Sequence, residues 1–251
     1  MEYQFEVCAN GVESCIAAQE GGAHRVELCA GILEGGTTPS YGEIRAARKY
    51  LHHTRLHVII RPRGGDFLYS PLEMERMEAD IEMCRQLGAD GVVFGCLTAD
   101  GDVDMESNAR LLACAKGLAV TFHRAFDHCR CPSEALEHLI RLGFHRVLTS
   151  GQQPTAALGI PLLSQLHRQA DGRIILLAGC GVNEQNIAQI ARDTGICEFH
   201  FSARERIPSG MRFLNPSVYM GVEGADESAV MRTTANRVRA TIGALQAINE
   251  T

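Results

Sequence analysis

Gly22-Ala23-His24-Arg25-Val26 returns in altered form as Gly88-Ala89-Asp90-Gly91-Val92, Gly143-Phe144-His145-Arg146-Val147 and Gly195-Ile196-Cys197-Glu198-Phe199. Each copy has a glycine suited to ending a helix, followed within a few residues by a strand-like run. Working outward, such runs recur at Phe5 to Cys8, Arg25 to Cys29, Leu56 to Arg61, Val92 to Gly95, Leu118 to His123, Arg146 to Thr149, Arg173 to Ala178 and Glu198 to Ser202. The four junctions precede the second, fourth, sixth and eighth of these, so a doubled βα unit repeats around a ring. Helix starts fall between the strands: Ser40-Tyr41-Gly42-Glu43 and Ser70-Pro71-Leu72-Glu73 both read as capping boxes, the second with Pro at the first helical position. Regular alternation of strand and helix implies a parallel sheet, and the echo predicts its closure as an α/β fold, a single (β/α)8 TIM barrel. An open doubly wound sheet is the alternative.

The chain of 251 residues suits one barrel domain spanning 1–251, and its 45% apolar residues suffice for a sizeable core. With a net charge of −6 and scattered Lys and Arg there is no basic stripe of the kind that binds nucleic acid. Met1-Glu2-Tyr3-Gln4-Phe5-Glu6 has neither the basic nor the apolar region of a secretory signal, and Ile174-Ile175-Leu176-Leu177-Ala178 is far too short to span a bilayer. A cytoplasmic protein without a membrane partner is expected. Its 10 cysteines then read as reduced thiols, and no Cys-x-x-Cys pair suggests a zinc ribbon.

Strand parity points to a site. Alternate side chains face into a barrel, and if Phe5, Val7, Val26, Leu28, Phe122, Phe199 and Phe201 face the helices, then Glu6, Cys8, Arg25, Glu27, Cys29, Thr121, His123, Glu198, His200 and Ser202 face inward. The parity of Ile59, Arg61 and Arg63 adds one or both arginines, and Arg61 facing Glu6 and Glu27 would pair some of this charge. Burying so many ionisable groups costs several kcal/mol each unless they are paired, roughly by the scale of isolated buried ions. A satisfied internal network is one explanation; an active or binding site is the other.

The loops after the strands add candidates. Arg61-Pro62-Arg63-Gly64-Gly65-Asp66-Phe67 carries two guanidiniums suited to a carboxylate or phosphate. His123 is a candidate acid or base with Asp127 as its orienter, and His200 approaches from another strand. Gly179 and Gly181 in Ala178-Gly179-Cys180-Gly181-Val182-Asn183, read as opening a helix, together with Ser202 and Ala203, form the usual barrel position for a bound anion, to which Thr149 and Ser150 would add donors. Cys8 and Cys29 end consecutive strands, which pair about 4.8 Å apart. Their thiolates can therefore meet, and would favour a soft ion such as Cu(I) unless they are simply two small packed residues. Cys129 and Cys131 lie on the same face as further thiols.

Together Glu6-Val7-Cys8, Glu27-Leu28-Cys29, Glu34-Gly35-Gly36-Thr37-Thr38-Pro39-Ser40, Arg61-Pro62-Arg63-Gly64-Gly65-Asp66-Phe67, Thr121-Phe122-His123-Arg124-Ala125-Phe126-Asp127, Leu148-Thr149-Ser150-Gly151 and Glu198-Phe199-His200-Phe201-Ser202-Ala203 closely resemble the CutC family, known as copper homeostasis proteins. The resemblance implies a β/α barrel, a cytoplasmic location, a homo-oligomer, and copper tolerance with Cu(I) held by thiolates. The thiol pair of animal-type members falls on Cys8 and Cys29. Two readings follow. In one, the protein binds Cu(I) through Cys8 and Cys29. In the other, it is an enzyme acting on a small phosphorylated or carboxylated, anionic metabolite, with His123 and Glu27 as acid and base, Arg61 as anion anchor, and Glu6, Asp127 and His200 completing the site.

Overall fold

The four glycines of the repeated junction all adopt the left-handed backbone that ends a helix, with φ of +92° at Gly22, +78° at Gly88, +87° at Gly143 and +76° at Gly195. Two residues on, the first three junctions each stitch three strands together, and the fourth ties the eighth strand to the first. The carbonyls of His24, Asp90, His145 and Cys197 accept the first amide of the following strand or its neighbour, from Arg55, Ala119, Ile175 and Gln4 respectively. The side chains of His24, Asp90 and His145 also accept the amides of Phe5, Leu56 and Val120.

The computed structural model describes residues 2–213, 215, 217–218 and 227–247. Its strands are β1 (Gln4–Ala9), β2 (Arg25–Leu28), β3 (Arg55–Ile59), β4 (Gly91–Phe94), β5 (Ala119–Phe122), β6 (Arg146–Thr149), β7 (Ile175–Gly179) and β8 (Glu198–Phe201). They pair in sequence order, every pair parallel, and β8 closes on β1 with Phe5 opposite Phe199. This is a (β/α)8 barrel, and the closure excludes an open doubly wound sheet. Helices α1 (Val12–Glu20), α2 (Tyr41–Tyr50), α3 (Pro71–Gln86), α4 (Met105–Cys114), α5 (Pro132–Leu142), α6 (Ile160–Ala170) and α7 (Ile187–Thr194) separate the strands. The apolar core lies between sheet and helices, where Phe5, Val7, Val26, Leu28, Phe94, Phe122 and Phe199 are fully buried.

Three local readings change. Ser70 and Glu73 form a complete capping box, but at α2 only the Ser40 hydroxyl caps; the Glu43 carboxylate accepts the Val12 amide and so ties α2 to the start of α1. The loop after β7 does not open directly into a helix. Asn183 and Asn186 side chains fold it into a turn, and α7 begins only at Ile187. A hairpin that no sequence signal suggested, β9 (Arg204–Pro208) with β10 (Ala229–Thr233), precedes α8 (Ala235–Gln246). It is moored to the barrel by Thr233, whose hydroxyl donates to the Ser202 carbonyl, and by Asn10, which donates to the Met231 carbonyl. The mooring fixes Arg204 at the barrel mouth.

Candidate active site and thiol pair at the barrel mouth

Inward parity stacks the polar interior in two layers. In the lower one Arg25 bridges two carboxylates, donating to Glu6 and, at 2.7 Å, to Glu198, which also accepts from Arg146 at 2.7 Å. His57 lies 3.9 Å from Glu6 and stays neutral, burial pulling it down to about 4. Glu6 is held ionised: burial opposes the charge, but Arg25 and then His200 outweigh it and keep its pKa far below the usual carboxylate range.

The upper layer walls a cavity of about 460 Å³ at the C-terminal ends of the strands, lined by Cys8, Glu27, Cys29, Arg61, His123 and His200 with Ile32, Ile59, Phe67, Leu148, Phe201, Ser202 and Arg204. The sulfurs of Cys8 and Cys29 are 4.0 Å apart. The ligand atoms of Cys8, Glu27 and Cys29 all lie within 4.8 Å of one another. Arg204 donates to the Cys8 sulfur at 3.1 Å. Hydrogen bonding from Cys29, outweighing burial, and then from His200, with the nearby charge of Arg204, holds Cys8 well below the ordinary thiol range. The same bond and burial push Cys29 up, so one proton is shared by a thiolate and a thiol. Burial opposes charge on His200, yet its bonds to Cys8 and to Glu6, the latter 2.8 Å away, hold it well above the usual imidazole range. Burial pushes Glu27 up to about 8 against the pull of His200, whose Nε2 is 3.5 Å away.

On the far wall, His123 is buried and pulled down to about 3 by desolvation and by Arg61. Its Nδ1 accepts the Ala125 amide at 3.3 Å, so the neutral ring carries its proton on Nε2. Arg61 is locked by three donations to carbonyls, at Glu34, Gly36 and Gly65, while the Phe67 ring packs against both Arg61 and His123.

The structure brings Cys8, Glu27, Cys29, Arg61, His123 and His200 together and separates others. Glu6 lies beneath the cavity and pairs with Arg25 and His200 instead of Arg61, because the Arg61 guanidinium turns outward to loop carbonyls. Asp127 does not orient His123. The 3₁₀ turn over Arg124–His128 swings it toward β6, where it accepts from the Thr149 and Ser150 hydroxyls and the Ser150 and Gln152 amides, and pairs with Arg124. Thr149 and Ser150 are thereby committed to an internal anion and do not line the cavity. Arg63 leaves the mouth after Pro62 and pairs with Glu73 and Asp66 in an outer groove. Of the loop residues, Gly181 and Ser202 line the cavity and Gly179 and Ala203 do not. Gly179 serves close approach, since a Cβ there would stand 2.5 Å from Leu148 and 3.2 Å from His200. Cys129 is buried beside Gln152 and Cys131 precedes α5, both away from the cavity. Sequence reading missed His57 and Arg204. The Ile59–Arg61 parity extends back to His57, whereas Arg204 lies past its strand and is placed by a hairpin whose second half comes more than 20 residues later.

The family model of CutC matches residues 3–205. The chain belongs to the CutC family. It is 68% identical over 246 residues to a family protein CutC of Bacteroides thetaiotaomicron, covering 98% of this chain and 99% of that one. It is 49% identical over 232 residues to the copper homeostasis protein cutC homolog of Mus musculus, covering 92% and 85% of the two chains. The solved CutC structure from Streptococcus agalactiae superposes with a TM-score of 0.77 at 35% identity, covering 80% of this chain and 98% of that one. Family membership thus reaches across the strands that carry Cys8, Cys29, Arg61, His123 and His200. Among the described residues no helix is long and apolar enough to cross a membrane.

Proposed function

We propose that this protein acts in copper homeostasis as a cytoplasmic, homo-oligomeric Cu(I)-binding protein, with Cys8 and Cys29 as the metal ligands. The observation that carries the reading is the meeting of two sulfurs 4.0 Å apart at the ends of adjacent strands. With a metal–sulfur bond of roughly 2.3 Å, as in zinc thiolates, an ion between two sulfurs spans up to about 4.6 Å, so this pair accepts one without backbone movement. Two soft donors suit Cu(I), whereas zinc needs four ligands: Glu27 offers a third donor beside the pair, but His200 is engaged with Glu6 and Glu6 with Arg25. Arg204 and His200 supply the positive surroundings in which Cys8 carries the negative charge that a monovalent cation neutralises. The homologous mouse protein's name supports the same role.

X-ray absorption at the copper edge, on protein loaded anaerobically with one equivalent of Cu(I), tests the ligand set. Two sulfur scatterers are expected. A first shell of nitrogen and oxygen alone would overturn the assignment.

A further inference from the structure

The cavity contains more than a thiol pair uses. Among the described residues, Arg61 Nε, His123 Nε2, Glu27 Oε1 and Arg204 Nε are buried side-chain atoms of the cavity-lining residues with no hydrogen-bond partner. Arg204 belongs to the thiol side, where its guanidinium donates to the Cys8 sulfur; the other three residues are 5%, 4% and 4% exposed. Leaving a buried polar group unpaired costs about 1–3 kcal/mol, so these three around one cavity imply a missing partner. Two of the three are donors. Arg61 Nε–H is a donor in any state, and His123 must donate from Nε2 because its Nδ1 accepts the Ala125 amide. Arg61 and His123 flank the same Phe67 ring, with centroid distances of 5.1 Å and 5.0 Å, and so form one wall that asks for an oxyanion. Glu27 lies on β2, next to the strand that carries Arg61 and three strands from that of His123, beside the thiols. Its free oxygen is satisfied in either protonation state by a hydroxyl, which both donates and accepts. Ile32, Ile59, Phe67, Leu148 and Phe201 supply the apolar remainder of the lining.

A carboxylate head fits this wall better than a phosphate. The loop amides that would cradle a third oxygen are already committed, Ser150 and Gln152 to Asp127 and Asn183 and Gln185 to asparagine side chains, and the unpartnered Nε of Arg204 stands at the thiol pair, where the same guanidinium donates to Cys8. We infer that the barrel mouth has a second binding site, for a small hydroxycarboxylic acid with an apolar body, its carboxylate on Arg61 and His123 and its hydroxyl on Glu27. The site differs from the copper assignment in its ligands, since none of its three contacts is a thiol, and adjoins it at Glu27.

The test uses metal-free, full-length protein and three probes: 2-hydroxy-4-methylpentanoate, 4-methylpentanoate, which lacks the hydroxyl, and 3-methylbutyl phosphate. Calorimetry measures affinity, and nitrogen-resolved NMR of the histidine rings follows His123 Nε2–H. The hydroxy acid binds saturably and shifts that signal; the deoxy acid and the phosphate ester bind roughly tenfold more weakly or worse, as does the hydroxy acid to Arg61→Lys or His123→Gln. The NMR shift in the parent protein decides the matter even if a variant fails to fold. Cu(I) titration of the same parent protein is read separately from acid binding to its metal-free form, so failure of the acid and failure of Cu(I) are distinguishable. Absence of saturable binding, binding that leaves His123 unmoved, or tighter binding of the phosphate ester would overturn the proposal.

Discussion

The two polar layers of the barrel interior are built from the same residue types and differ in how completely they are paired. In the lower layer Glu6, Arg25, Glu198 and Arg146 answer one another, while His57 Nδ1 and the Thr121 hydroxyl lack a bond. In the upper layer Glu27, Arg61, His123 and Arg204 each keep an unpartnered atom, two sulfurs share a hydrogen bond without a disulfide, and a cavity lies between the walls. A paired network rigidifies the protein; an unpaired one at a strand C-terminus, in a barrel, is where ligands go. The satisfied-network reading describes the lower layer, and the proposed site lies one layer above it.

The comparison breaks most directly in the lower layer. Arg25→Met strands the Glu6 carboxylate and should destabilise the fold by about 3–5 kcal/mol in urea unfolding at neutral pH. A loss under about 1 kcal/mol would mean that the layer does not hold the barrel together. Glu27 sharpens the contrast through pH. Its folded-state pKa of about 8 lies above the ordinary value of 4.5, so the folded protein keeps a proton that the unfolded chain releases, and stability falls as pH rises between the two. Glu27→Gln should flatten that decline by at most about 1.4 kcal/mol per pH unit. An unchanged slope would show that Glu27 titrates normally. Asp127→Asn weakens the clamp on the loop after β6 and should cost about 2 kcal/mol, with faster amide exchange at Ser150 and Gln152. Exchange that stays slow would assign the clamp to other bonds. Arg63→Ala, in the outer groove, should change stability by less than about 1 kcal/mol and leave Cu(I) affinity alone; a large effect on copper would return Arg63 to the mouth.

The fold was legible because the junction glycines punctuate every second strand and because a two-residue period has one inner face. That is how Cys8, Glu27, Cys29, His123 and His200 were found. Parity stops where strands stop. Arg63 lies beyond Pro62, Asp127 lies in a 3₁₀ turn that rotates it toward β6, and Arg204 depends on pairing with β10, so their directions are set by loops and long-range contacts with no local period. Charge type alone misled as well: Arg61 looks like a partner for Glu6, yet backbone carbonyls take its guanidinium.

The central claim is that Cys8 and Cys29 form the copper ligands, and competition with a chromogenic Cu(I) chelator under anaerobic, reducing conditions tests it, comparing the parent with Cys8→Ser, Cys29→Ser and, as control, Cys114→Ser. Cys8→Ser and Cys29→Ser should each surrender Cu(I) at least roughly 100-fold more readily, since a ligand counts for more than the outer partners whose loss costs about 10–100-fold, while Cys114→Ser matches the parent. Equal retention by all four proteins would contradict the account.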